Sequence, residues 1–193
     1  IGPDPELPFI DVVHSAENWY YDAVANVYWK DLMTGLSETV FGPSEPLLRA
    51  EFAVILHRME DLPKVSYDGR YQDVADGLWY TDAVAWASEE GVITGYGAGE
   101  MFGPGDYISR EQMATMMYRY AKRKGYDTSV KADLGSYKDA SEVSAFAEEA
   151  MQWAVGNKII SGKQGGTILD PQGNTTRSEC AVILTRFMDT YNK

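Results

Sequence analysis

Leu48-Arg49-Ala50-Glu51, Ser109-Arg110-Glu111-Gln112 and Thr176-Arg177-Ser178-Glu179 each open an apolar run at helical spacing. Behind the first stand Phe52, Ile55, Leu56 and Met59. Behind the second stand Met113, Met116, Met117 and Tyr120, and behind the third Cys180, Ile183, Leu184 and Phe187. Positions i, i+3, i+4 and i+7 share one helix face, so each run predicts an amphipathic helix. The methionine stripe reads as adaptable core filling. Upstream of each tetrad the same parts recur in the same order. A Pro-containing turn comes directly before it (Phe41-Gly42-Pro43, Phe102-Gly103-Pro104, Leu169-Asp170-Pro171). Before that lies an apolar pair, a hydroxyl residue and Gly: Leu32-Met33-Thr34-Gly35, Val92-Ile93-Thr94-Gly95, Ile159-Ile160-Ser161-Gly162. Earlier still is a second helical face, formed by Ala83, Trp86 and Ala87, repeated by Ala150, Trp153 and Ala154 and echoed by Ala23 and Val27. An aromatic-x-Asp opener starts each copy, ending at Asp11, Asp73 and Asp139. The period is roughly 60 to 67 residues.

The chain therefore divides into copies at 1–63, 64–125 and 126–193, with polar linkers near 64–70 and 126–136. Each copy reads helix, Gly/Pro-rich loop, helix. Two helices cannot bury their apolar faces alone, so the expectation is an all-α fold whose three copies pack as one cooperative unit.

Of the 193 residues, 45% are hydrophobic and 24% charged, which is globular composition. No stretch approaches the ~20 apolar residues of a membrane span, and no leader pattern opens the chain. Seventeen Lys and Arg against 29 Asp and Glu give a net charge of −12, which argues against nucleic acid as a partner. An anionic partner must then be captured locally, against the overall field. One Cys and two His exclude an intramolecular disulfide and a zinc site, and no cofactor motif is present. Cys180 falls on an apolar helix face and reads as a buried, inert thiol.

The residues with chemistry to offer are those of the tetrads. Ser109 and Thr176, each followed three residues on by Gln or Glu, spell a capping box. The box does not explain Arg49, Arg110 and Arg177, because a cation in the first turn opposes the helix dipole. Each Arg needs a partner. One option is an internal carboxylate such as Asp11, Asp73 or Asp139. The other is an external carboxylate or phosphate held by the guanidinium fork and the free amides of the helix start. Gly35, Gly95 and Gly162 favour the second, since glycine permits close approach to the backbone. Trp19 and Trp79, at the start of the earlier helices, offer rings that suit sugar stacking as well as packing. Catalysis has little support. Glu51 and Glu179 become Gln112 in the second copy, which suits capping and not proton transfer, and no GxSxG, HExxH or phosphate loop occurs.

The order aromatic-x-Asp, Trp-Tyr, Gly-(x)n-Phe-x-Pro and Thr-Arg-Ala-Glu resembles the S-layer homology domain, here as a tandem of three. The resemblance implies three repeats in a pseudo-threefold assembly around a central helical bundle. It further implies non-covalent anchoring at the bacterial cell surface, as part of a larger extracellular protein. The partner it implies is an anionic secondary cell-wall polysaccharide, commonly bound through pyruvylated N-acetylmannosamine in grooves between repeats. Arg49, Arg110 and Arg177 would meet the acidic sugar, beside Ser109, Thr176 and the three loop glycines. Departures predict unequal grooves. Leu48 replaces a hydroxyl, the loop at 36–40 is short, Glu111 stands ready to pair with Arg110, and Phe146-Ala147 replaces Trp-Tyr. A protein-interaction module of the same fold is the alternative function, and a hydrolase the third.

Overall fold

The computed structural model describes residues 6–192. The two ends of the outer copies, residues 1–5 and 193, lie outside them. Six α-helices follow in chain order: α1 (Tyr21–Trp29), α2 (Arg49–Met59), α3 (Thr81–Glu89), α4 (Arg110–Arg123), α5 (Glu148–Gly156) and α6 (Arg177–Tyr191). Two short 3-10 turns, Ala140–Glu142 and Ala145–Ala147, precede α5. Among the described residues there is no sheet, and extended segments meet only in isolated bridges. The all-α expectation holds.

Helix ends follow local chemistry. Ser109 Oγ accepts from the Gln112 amide at 3.2 Å, and Thr176 Oγ1 from the Glu179 amide at 3.1 Å. Leu48 has no side-chain acceptor, so only the reciprocal half of its box forms, from the Leu48 amide to Glu51 Oε2 at 2.8 Å. At the end of α4, Gly125 adopts φ +70° while its amide returns to Lys122 and that of Tyr126 to Ala121. That is a glycine stop of the Schellman kind.

Helices pair between repeats and not within them: α2 with α3, α4 with α5, and α6 with α1. Each second helix thus packs on the first helix of the next copy, and the third copy returns to the first. Asn26 of α1 donates to Thr185 of α6 at 3.0 Å, and His57 of α2 lies 5.7 Å from the Trp86 ring of α3. The buried residues Phe52, Leu56, Met113, Met117, Leu184 and Phe187 join one continuous core.

The starts of α2, α4 and α6 are tied by a closed ring of backbone bonds. The Leu47 amide donates to Thr175 O at 2.9 Å, that of Thr175 to Ile108 O at 2.8 Å, and that of Ile108 to Leu47 O at 3.1 Å. All three residues are fully buried. The ring brings the three helix starts close together.

Candidate functional grooves

Each helix-start Arg reaches into the loop of the next copy. Arg177 donates through Nε to Phe41 O at 2.9 Å and through Nη2 to Thr34 O at 2.5 Å. Arg49 does the same to Phe102 O and Thr94 O at 2.9 and 2.8 Å, and Arg110 to Leu169 O and Ser161 O at 2.8 and 2.7 Å. A fork of fixed donors is what two diverging carbonyls require, so Arg fits where Lys would not. All three arginines are buried. Desolvation lowers the pKa of Arg49 and Arg110 from the ordinary value.

The carboxylate partners differ from those expected. Arg177 Nη1 lies 2.6 Å from Glu51 Oε1, and Arg110 Nη1 lies 3.5 Å from Glu179 Oε1. The glutamates belong to the copy that supplies the carbonyls. Where α4 carries Gln112 at this position, Arg49 has no carboxylate within 4.0 Å among the described residues. Its guanidinium lies 4.4 Å from the Tyr96 ring centre and 5.0 Å from that of Phe102.

The opener aspartates act one step away. Asp11 accepts from the amides of Phe41 and Gly42 at 2.9 and 2.8 Å, while Arg177 takes the Phe41 carbonyl. Asp73 holds the amides of Phe102 and Gly103, and Asp139 those of Leu169 and Asp170. In every copy, Asp and the incoming Arg therefore grip one loop residue from its two sides.

The free helix amides expected from the sequence are not free. The Arg177 and Ser178 amides donate to Glu45 O and Pro43 O, those of Arg49 and Ala50 to Asp106 O and Pro104 O, and those of Arg110 and Glu111 to Gly173 O and Pro171 O. The Pro turn of the neighbouring copy fills each helix start, so a ligand has no open amides there. Glu111 does not pair with Arg110 either. Its carboxylate accepts from the Ser144 amide and hydroxyl, both at 2.8 Å, and so fastens the turn before α5 to α4.

The loop glycines are tight for an internal reason. A Cβ on Gly95 would meet Met101 O and the Tyr71 ring at 2.7 Å, and one on Gly35 would meet Ser37 O and the Phe9 ring. Gly162 faces Ile168 O and the Tyr137 ring at 2.9 Å. The opener aromatic thus packs where a side chain would stand.

Two cavities open beside these arginines. One, of 360 Å³, is lined by Thr34, Gly35 and Leu36 of the first loop, Glu51, Val54, Ile55 and Arg58 of α2, Arg177, and Trp79. The other, of 240 Å³, is its counterpart: Ser161, Gly162 and Lys163 of the third loop, Glu179, Val182, Ile183 and Arg186 of α6, Arg110, and Trp19. All three copies contribute to each. Trp19 and Trp79 are 63% and 65% exposed, and Phe146, in the matching place of the third copy, is 60% exposed. Arg58 and Arg186 escaped the sequence reading, although the signal was present. With Arg119 they stand nine residues after each helix-start Arg.

Among the described residues no cluster of His, Cys, Asp or Glu is arranged to hold a metal ion, and no helix is long and apolar enough to cross a membrane. Residues 8–53, 70–114 and 136–181 match the S-layer homology domain. An endoglucanase of Bacillus sp. (strain KSM-635) is 32% identical over 182 residues, which is 94% of this chain and 19% of that protein. The surface-layer 125 kDa protein of Lysinibacillus sphaericus is 29% identical over 87% of this chain and 14% of its own length. For the S-layer protein of Bacillus thuringiensis subsp. finitimus the figures are 29%, 89% and 20%. The chain spans a fifth or less of these relatives. The three matched segments each hold one aspartate, one loop glycine and one helix-start Arg of the interlocked system, and the chain belongs to the S-layer homology domain family, as a tandem of three of these non-catalytic surface-anchoring modules.

Proposed function

We propose that the chain holds a larger surface protein to the bacterial cell wall without a covalent bond, by binding an acidic secondary cell-wall polysaccharide. The cavities beside Arg177 and Arg110 are the grooves, and a pyruvylated amino sugar is the unit bound. The observation that carries this reading is the composition of each cavity, in which a buried Arg, a glycine-bearing loop and an exposed Trp come from three different copies. A pyruvyl carboxylate suits the guanidinium, and the apolar face of a pyranose suits the indole. The cyclic bonding supports a pseudo-threefold arrangement centred on α2, α4 and α6. Arg49 is the weakest candidate: like Arg177 over Phe41 it lies over one loop ring, but Tyr96 covers its guanidinium as well.

Purified Gram-positive cell walls, untreated and chemically depyruvylated, test this in a sedimentation assay. The chain is expected to pellet with untreated walls and to stay in solution with the treated ones. Equal pelleting with both would reject the pyruvyl assignment. No pelleting with either would leave the fold to a protein-assembly role.

A further inference from the structure

The floor of each groove is a single helix stripe. Glu51, Val54, Ile55 and Arg58 stand at i, i+3, i+4 and i+7 on α2, and Glu179, Val182, Ile183 and Arg186 repeat the pattern on α6. Seven residues at 1.5 Å rise give an apolar floor about 10 Å long, enough for two linked pyranose rings. One end holds the helix-start Arg with its glutamate. The other end holds the second Arg.

The two ends are electrostatically different. Arg177 and Arg110 are each matched by a glutamate, at 2.6 and 3.5 Å. Arg58 and Arg186 have no carboxylate within 4.0 Å among the described residues. Their bonds are single and long: Arg58 Nη1 to Leu32 O, and Arg186 Nη1 to Ser161 Oγ, both at 3.2 Å. A guanidinium has five N–H donors, so most of each fork remains available to a ligand. Both side chains are half-buried and line their cavities. The helix dipole explains only one of them. Arg58 lies in the last turn of α2, but α6 continues past Arg186 to Tyr191. What the two share is distance from the groove's first end, not distance from the helix end. In a chain of net charge −12, each of them places a positive charge without a carboxylate partner inside a groove.

We infer that Arg58 and Arg186 form a second anion subsite in each groove, which takes an acidic group on the sugar next to the one held at Arg177 or Arg110. The inference rests on the anchoring function proposed above. It makes the recognised unit an acidic disaccharide, with the two charges separated by about two helical turns. The neutral middle of the floor passes under the sugar rings, and the exposed Trp forms the wall.

Three synthetic probes test it by calorimetry on the full chain: the methyl glycoside of pyruvylated N-acetylmannosamine, the same unit linked to glucose, and the same unit linked to glucuronic acid. The parent is expected to bind the glucuronic acid probe at least tenfold more tightly than the glucose probe. In Arg58→Gln/Arg186→Gln that advantage should fall below twofold, and in Arg58→Lys/Arg186→Lys most of it should remain. Equal affinity of the parent for the two disaccharides would overturn the subsite, as would an undiminished advantage in the Gln variant. Binding of the monosaccharide without any preference for the acid rejects the second subsite alone. Binding of none of the three rejects the sugar-groove reading and the subsite with it.

Discussion

At the scale of single residues, Thr175 is the anomaly. It occupies the buried ring position that Leu47 and Ile108 fill in the other copies, yet its hydroxyl has no hydrogen-bond partner. A buried unsatisfied hydroxyl costs about 1–3 kcal/mol. Thr175→Val keeps the shape and the backbone bonds, so it is expected to stabilise the protein by about 1 kcal/mol. In a chain of this size that raises the melting temperature by about 2–4 °C. A lower melting temperature would mean that the hydroxyl has a partner, such as an internal water. Cys180 is the converse case, since burial drives its thiol pKa upward and keeps it protonated and inert, as its apolar helix face suggested. Arg177 illustrates what a residue type alone conceals. Its presence against the helix dipole signalled a partner, but nothing in the local sequence said that the partners were Phe41 O, Thr34 O and Glu51, more than 120 residues away.

At the scale of elements, the loop clamp is built from a carboxylate and two amides. Desolvation pushes the pKa of Asp139 upward, but the amides of Leu169 and Asp170 outweigh it and hold the carboxyl below its ordinary value. A folded pKa below the unfolded one contributes stability that is present above about pH 4 and is lost as the pH falls through the folded value. Asp139→Asn should therefore melt at a lower temperature at pH 7 and show a flatter loss of stability below pH 4. Thermal melts of parent and variant between pH 2 and pH 7 measure this, and parallel acid limbs would count against it. The helices and the repeat were legible because periodicity and order are local properties of the chain. The capping role of Ser109 and Thr176 was legible for the same reason. The glycines were legible as positions, but their reason was not. One of the two contacts that exclude a Cβ at Gly95, beside the Met101 carbonyl, is the Tyr71 ring, 24 residues earlier in sequence. Arg58, Arg119 and Arg186 were passed over because a charge on a helix surface is ordinarily a solvated one. Only the cavity beside two of them sets them apart.

At the scale of the whole molecule, helices pair across repeats, and two of the cavities are lined by all three copies. The second copy supplies α3 to α2 and α4 to α5, so its own two helices have their packing partners elsewhere. Cut out alone, residues 71–125 would expose Met113, Met117 and Trp86, each worth about 1.5–3 kcal/mol when buried. That fragment is expected to lack a cooperative thermal transition, and circular dichroism checks it; a sharp melt would contradict the interlocked fold. Periodicity could not reveal this exchange of partners, because an apolar face does not specify which face covers it. The same exchange makes each of the two cavities a product of all three copies, so under the proposed function a substitution in one repeat is expected to weaken binding at the junction of the other two. Trp19 belongs to the first copy but walls the cavity of Arg110 and the third loop, and Trp79 belongs to the second but walls the cavity of Arg177 and the first loop. Both are exposed, so removing either leaves the core intact. The decisive measurement is calorimetric titration of the full chain with the methyl glycoside of pyruvylated N-acetylmannosamine, beside Trp19→Ala, Trp79→Ala and the double variant. Two sites are expected in the parent, one in each single variant and none in the double, with melting temperatures close to the parent's. Unchanged stoichiometry and affinity in the folded double variant would contradict it.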